Sequence, residues 1–133
     1  MNAWVADIEQ ATLDNTNFRT VLWTGEHTQL TVMLIGAGDD IGLEQHPDHD
    51  QFIRIEQGKA RVELGPTEDQ IEETHEVEDD WAIIVPAGVW HNVVNTGDGE
   101  LKVYSLYSPP EHPPNTVHRT KAEAEAAEAA HGG

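Results

Sequence analysis

Pro86-Ala87-Gly88-Val89-Trp90-His91-Asn92-Val93-Val94-Asn95 is the stretch on which the fold turns. The proline and the glycine two positions on mark a tight turn. The residues that follow read as a strand with His91 and Val93 on one face. A second segment, His46-Pro47-Asp48-His49-Asp50-Gln51, has the same make-up: imidazoles and side-chain oxygens beside a turn, among apolar runs. Two such segments on neighbouring strands would place nitrogen and oxygen donors around one point. A β-barrel builds a mononuclear metal site in this way.

Working outward, strand-like runs recur along the chain: 18–23, 29–35, 41–46, 51–56, 60–64, 81–85, 91–96 and 101–107. Gly36-Ala37-Gly38-Asp39, Gln57-Gly58, Gly65-Pro66 and Thr96-Gly97-Asp98-Gly99 separate several of them. Many short strands at this spacing predict an all-β sandwich or barrel. The acidic stretch 66–78 predicts one polar strand, around 71–77, on an exposed edge. Prolines in Ser108-Pro109-Pro110-Glu111-His112-Pro113-Pro114 lack backbone donors, so this segment is expected to be an extended arm. Thr120-Lys121-Ala122-Glu123 fits a capping box, and Ala-Glu repeats follow it. The expected organisation is a barrel over 1–108, a Pro-rich arm over 109–119 and a short, solvent-facing helix over 120–131. Trp81 and Trp90 are expected in the core or the pocket wall.

The 133 residues suit one domain with a single core. Lys and Arg number 7 against 25 Asp and Glu, a formal charge of −18. Such a chain repels phosphate, which argues against nucleic acid and anionic membrane surfaces as partners. There is no cysteine, so disulfides and thiolate ligands are excluded. Met1-Asn2-Ala3-Trp4 carries no basic stretch leading into an apolar run, and no segment approaches membrane-spanning length, so the expectation is a cytoplasmic protein.

Alternation assigns faces. In 51–56, Gln51, Ile53 and Ile55 share one side, and Phe52, Arg54 and Glu56 the other. The charged side should face out, which turns Gln51 inward. Ala60, Val62 and Leu64 behave alike, with Arg61 and Glu63 outside. Glu44 shares a face with His46. If these faces converge, Glu44, His46, Gln51 and His91 meet in an apolar interior. A carboxylate there needs a partner, and a divalent cation is one.

These two segments resemble the two motifs of the cupins. Pro86-x-Gly88-x-x-His91-x-x-x-Asn95 matches the second motif completely. Gly42 through Gln51 to Gly58 resembles the first, with Glu44 standing where one histidine is usual and Gln51 where glutamate is usual. The resemblance covers roughly residues 29–108. It implies a double-stranded β-helix, a jelly-roll-like barrel of the small single-domain type-2 kind, commonly a homodimer. Pro109-Pro110-Glu111-His112-Pro113 through Val117-His118 is similar to the tail of small cupins described as mannose-6-phosphate isomerase-like.

The expected ligand set is therefore Glu44, His46, Gln51 and His91. Two imidazoles, a carboxylate and an amide oxygen suit Mn, Fe, Co, Ni or Zn. A strand slip pairing His46 with His49 would instead put Glu44 outside the set; alternation favours Glu44. His49, Asp50, His112 and His118 are candidate proton carriers if they lie near the pocket, with His49 and His112 put first. The expected function is a metal-dependent enzyme of the oxygenase or isomerase/lyase type acting on a small neutral or weakly polar molecule. The alternative is a non-catalytic module that binds a small ligand or metal. Sugar-phosphate isomerisation is discounted, because a phosphate needs cations and no basic cluster lies beside the motifs.

Overall fold

The computed structural model describes residues 2–130, so Met1 and the expected helix end at His131 lie outside the described residues. Among the described residues, nine strands pack as two sheets. They are β1 (Arg19–Thr24), β2 (Gln29–Ile35), β3 (Asp50–Gln57), β4 (Lys59–Gly65), β5 (Glu73–Glu78), β6 (Ala82–Val85), β7 (Trp90–Asn95), β8 (Leu101–Ser108) and β9 (Val117–His118). The larger sheet has the order β6-β3-β8-β2-β1-β9 and the smaller β5-β4-β7. All named ladders are antiparallel. None of the described helices is long and apolar enough to cross a membrane.

The core lies between the sheets. Met33, Ile35, Ile53, Ile55, Val62, Val93, Leu101 and Val103 are each at most 2 % exposed. The alternation in β3 and β4 holds: Gln51, Ile53 and Ile55 are buried, as are Ala60 and Val62, while Arg54, Glu56, Arg61 and Glu63 lie outside. The polar edge strand expected around 71–77 is β5, which faces solvent except at Val77.

The run 41–46 is not a strand. It meets β7 through the isolated Glu44–His91 bridge and the Ile41 amide, which donates to the Val93 carbonyl at 3.1 Å, while Asp40 just before it bridges to Val94. Gly42 sits at φ +94°, a left-handed conformation that interrupts a ladder and that glycine adopts at least cost. Trp81 is half exposed rather than core: it lies between the turn at Asp79–Asp80 and β6, which is an edge strand.

A short helix, α1 (Ile8–Asp14), covers the outside of the larger sheet. Asp7 caps it by accepting a hydrogen bond from the Gln10 amide at 3.1 Å. The Lys102 ammonium points outward from β8, as alternation requires, and donates to the Leu13 carbonyl beneath this helix.

The C-terminal helix, α2 (Lys121–Ala130), starts with the predicted capping box. The Glu123 amide donates to Thr120 Oγ1 at 3.1 Å, and the Thr120 amide to Glu123 Oε2 at 3.3 Å. It is not merely solvated. Ala124 is 2 % exposed and joins the core cluster. The Lys121 ammonium donates to Asp39 at 3.0 Å and also to Asp40.

Burial alone would raise the Asp40 pKa, but Lys121 and the Asn92 amide more than offset it and hold the carboxyl below its ordinary value. A depressed carboxylate adds stability above its unfolded pKa and loses it as pH falls through the folded one. Lys121→Met should therefore lower Tm at pH 5–8, by an amount reflecting about 1 kcal/mol or less for so exposed a pair. In melts taken from pH 7 to pH 3, the gap to the parent should narrow below the carboxylate range. A gap that is unchanged at pH 3 would show that the pair does not anchor α2.

Candidate metal centre

The Pro86–Val89 turn carries the chain from β6 in the larger sheet to β7 in the smaller. Gly88, at φ +82°, makes that reversal, and its amide donates to the His46 carbonyl at 2.9 Å. Two residues into β7, the His91 amide donates to the Glu44 carbonyl at 2.8 Å and the Glu44 amide to the His91 carbonyl at 3.0 Å. Backbone bonds thus tie all three residues to one turn. Their ligand atoms lie within 4.8 Å of one another.

His91 is 1 % exposed. Its Nδ1 lies 3.0 Å from the Val89 carbonyl, which leaves Nε2 facing inward, 3.1 Å from Gln51 Oε1 and 3.7 Å from Glu44 Oε1. Burial holds its pKa below the ordinary histidine value, so it is neutral, the ligating form, at neutral pH. The Gln51 amide is steadied from behind by Ser105, Nε2 to Oγ at 3.4 Å. Gln51 comes from β3, across the barrel from β7, so the two sheets both supply donors.

His46 is 9 % exposed. Its Nε2 is in ion-pair contact with Glu44 Oε1 at 3.3 Å, but this buried nitrogen has no hydrogen-bond partner among the described residues. An orphaned buried nitrogen facing a carboxylate, a second imidazole and an amide oxygen fits a cation with borderline-hard preferences. Burial would lower the His46 pKa, but Glu111 and Glu44 beside it raise it to about 9. In the absence of a metal, a proton on this ring partly balances the carboxylates.

His49 and His112 lie beside this cluster. His49 Nε2 is 3.0 Å from the Pro110 carbonyl and 3.3 Å from Glu111 Oε2, in contact with the arm and outside the Glu44–His46–His91 group. His112 packs edge-on against Tyr107, with ring centroids 5.2 Å apart, and its buried Nε2 has no partner among the described residues. Burial, reinforced by the Arg19 charge, pushes His112 down to about 4.

The cluster opens onto a cavity of about 780 Å³. The arm and α2 form its far wall, with Glu111, His112, His118, Glu125 and Glu128 among the lining groups. Among the described residues, no lysine or arginine lines it. Arg19 lies just behind: it is 3 % exposed, and its Nη1 is 3.3 Å from His118 Nδ1.

Sequence reasoning did not single out Glu111, Arg19 or the cavity-facing side of α2. Each reaches the site through tertiary contacts that no local pattern announces. Gln29 was missed as well, although a glutamine opening a strand as apolar as Gln-Leu-Thr-Val-Met-Leu-Ile is a signal.

A family profile described as "Cupin domain" matches residues 31–107. The chain belongs to the cupin family. Its relatives include the uncharacterized protein YrkC of Bacillus subtilis (strain 168), 57 % identical over 94 % of this chain and 67 % of that one. The uncharacterized protein L612 of Acanthamoeba polyphaga mimivirus is 38 % identical over 86 % of this chain and 70 % of its own. Among solved structures, this cupin is similar to BH2720 of Bacillus halodurans at a TM-score of 0.93 and 53 % identity, covering 94 % of this chain and 95 % of the other. KdgF of a Halomonas species shares the fold at a TM-score of 0.61 and 24 % identity, over 70 % of this cupin and 80 % of KdgF.

Proposed function

We propose that this cupin holds one divalent transition metal, Mn, Fe, Co, Ni or Zn, on Glu44, His46, Gln51 and His91, and acts with it on a small neutral or weakly polar molecule in the adjoining cavity. The observation that carries this reading is the buried His46 Nε2, without a hydrogen-bond partner among the described residues, turned toward Glu44 beside His91 and Gln51. A metal in such a set supplies Lewis acidity or a binding place for dioxygen. The chain's own groups do the rest. Glu111, Glu125 and Glu128 disfavour anionic ligands, which weighs against the mannose-6-phosphate isomerase-like assignment. His49 Nδ1 and His112 Nε2 are buried without partners and could take or give a proton. The chemistry is of the oxygenase or isomerase/lyase type, in a cytoplasmic homodimer; light scattering tests the assembly and cell fractionation the location.

One observation favours a binding-only module. With a pKa near 4, His112 is a weak base at neutral pH. Metal analysis of the purified protein comes first. We expect bound metal, or a rise in Tm on adding Mn, Fe, Co, Ni or Zn salts. No metal as isolated and an unchanged Tm with every salt would overturn the reading. Oxygen uptake against diketones, flavonols and small thiols then separates oxygenase activity from the rest.

A further inference from the structure

We propose that Glu111 is a positioning residue of the metal centre: it receives the Nδ1–H of His46 and so keeps Nε2 of that ring turned to the ion. The inference rests on the metal-binding reading above and adds to it a residue outside both motifs.

The argument starts from the two imidazoles. A ligating histidine generally donates its other ring N–H to a carbonyl or carboxylate, which fixes the tautomer and the ring's orientation. His91 already does this, with Nδ1 3.0 Å from the Val89 carbonyl and Nε2 turned inward. For His46, the group nearest the equivalent place is Glu111: its Oε2 makes an ion-pair contact with Nδ1 at 3.4 Å, longer than the His91–Val89 bond, while Nε2 faces Glu44. Among the described residues, no backbone carbonyl accepts from His46 Nε2. A carboxylate in this role also adds negative charge behind the ring, which strengthens Nε2 as a donor.

Glu111 is not a loose surface acid. It belongs to the arm, and the arm is clamped by Gln29, a side chain with 0 % exposure. Gln29 Oε1 accepts from the Glu111 amide at 3.1 Å and the His112 amide at 2.9 Å, and Nε2 donates to the His112 carbonyl at 2.7 Å. His49 closes the arrangement, with Nε2 3.3 Å from the same Glu111 oxygen. The line of support runs from the barrel wall through Gln29 to the arm, and from the arm to His46.

The test is Glu111→Gln, which keeps shape and removes charge. Zinc is the probe, because it is diamagnetic. The measurements are the Kd for Zn²⁺ by calorimetry, the Tm of the metal-free protein, and the ring N–H signals of His46 and His91 in ¹⁵N-labelled, zinc-loaded protein. We expect zinc affinity weaker by roughly 10- to 100-fold, with a lower metal-free Tm as well, because the protonated His46 ring loses one of its two carboxylates. The His46 Nδ1–H signal should move while that of His91, bonded to Val89, stays. A parent that binds no zinc defeats the metal reading and this inference with it. A parent that binds zinc and a variant that matches it within twofold, His46 signal unmoved, defeats the Glu111 inference alone. Equal displacement of both histidine signals would show a general structural disturbance and would also overturn it.

Discussion

His91→Ala is expected to abolish metal-dependent stabilisation. A ligand that binds only the folded state stabilises by RT ln(1 + [L]/Kd), about 2.7 kcal/mol at a concentration one hundred times Kd. For a chain of this length that is on the order of 10 °C in Tm. His91 is 1 % exposed, and its Nε2 lies 3.1 Å from Gln51 Oε1 and 3.7 Å from Glu44 Oε1. Truncation removes a nitrogen donor and leaves the Val89 carbonyl without its partner. The metal-free variant should itself be less stable by about 1–3 kcal/mol, from the vacated volume and the unpaired carbonyl. The decisive quantity is the difference between melts with and without metal, which should fall to zero in the variant. A variant that keeps full metal occupancy would remove His91 from the site.

Gln29→Leu should cost about 3 kcal/mol and free the arm. The side chain makes bonds to Thr24 Oγ1 at 2.9 Å and to the backbone of Glu111 and His112, all from a fully buried position. A leucine fills similar space but strands these groups, at about 1–3 kcal/mol for each buried group left unsatisfied. The total is held down because the arm can lift and let water reach its amides. Chemical denaturation measures the loss, and hydrogen exchange locates it: the Glu111 and His112 amides should exchange much faster, while amides of β3 and β8 keep their protection. Unchanged exchange at the two arm amides would show that the arm stays down without Gln29.

The barrel was legible because its information is local. Period-two alternation placed Gln51, Ile53 and Ile55 inside, and the burial pattern of β3 agrees. The Pro-x-Gly-x-x-His spacing was legible because the turn at Gly88 and the strand after it are adjacent in sequence. The segment 41–46 misled for a physical reason: its side chains alternate like a strand, but Gly42 takes a left-handed backbone that only a residue without Cβ adopts readily. Helix α1 was overlooked because seven residues carry little periodicity, though Asp7 followed by Gln10 was a capping signal.

The region around the cavity was hardest to read. The Ala-Glu composition gave α2 as a helix, but its seat depends on Ala124 entering the core and on Lys121 reaching Asp39 and Asp40, far away in the chain. The arm was expected as an extended segment. Its pairing with β1, through Arg19 to His118 and Thr20 to Val117, and its clamp on Gln29 are long-range events that proline content does not reveal. Arg19 shows the same limit: a basic residue in an amphipathic strand reads as surface, yet it is 3 % exposed behind His118.

The backbone bonds that join Glu44 to His91, and Gly88 to His46, bear on the order of events in the life of the molecule. Small zinc modules spend metal affinity on their own folding and come apart in a chelator. Here the three residues are stitched by main-chain bonds that owe nothing to an ion. Metal would arrive as a passenger in a finished barrel: chelation would empty the seat without dismantling the vehicle, and one population of folded chains could be reloaded with different metals in turn.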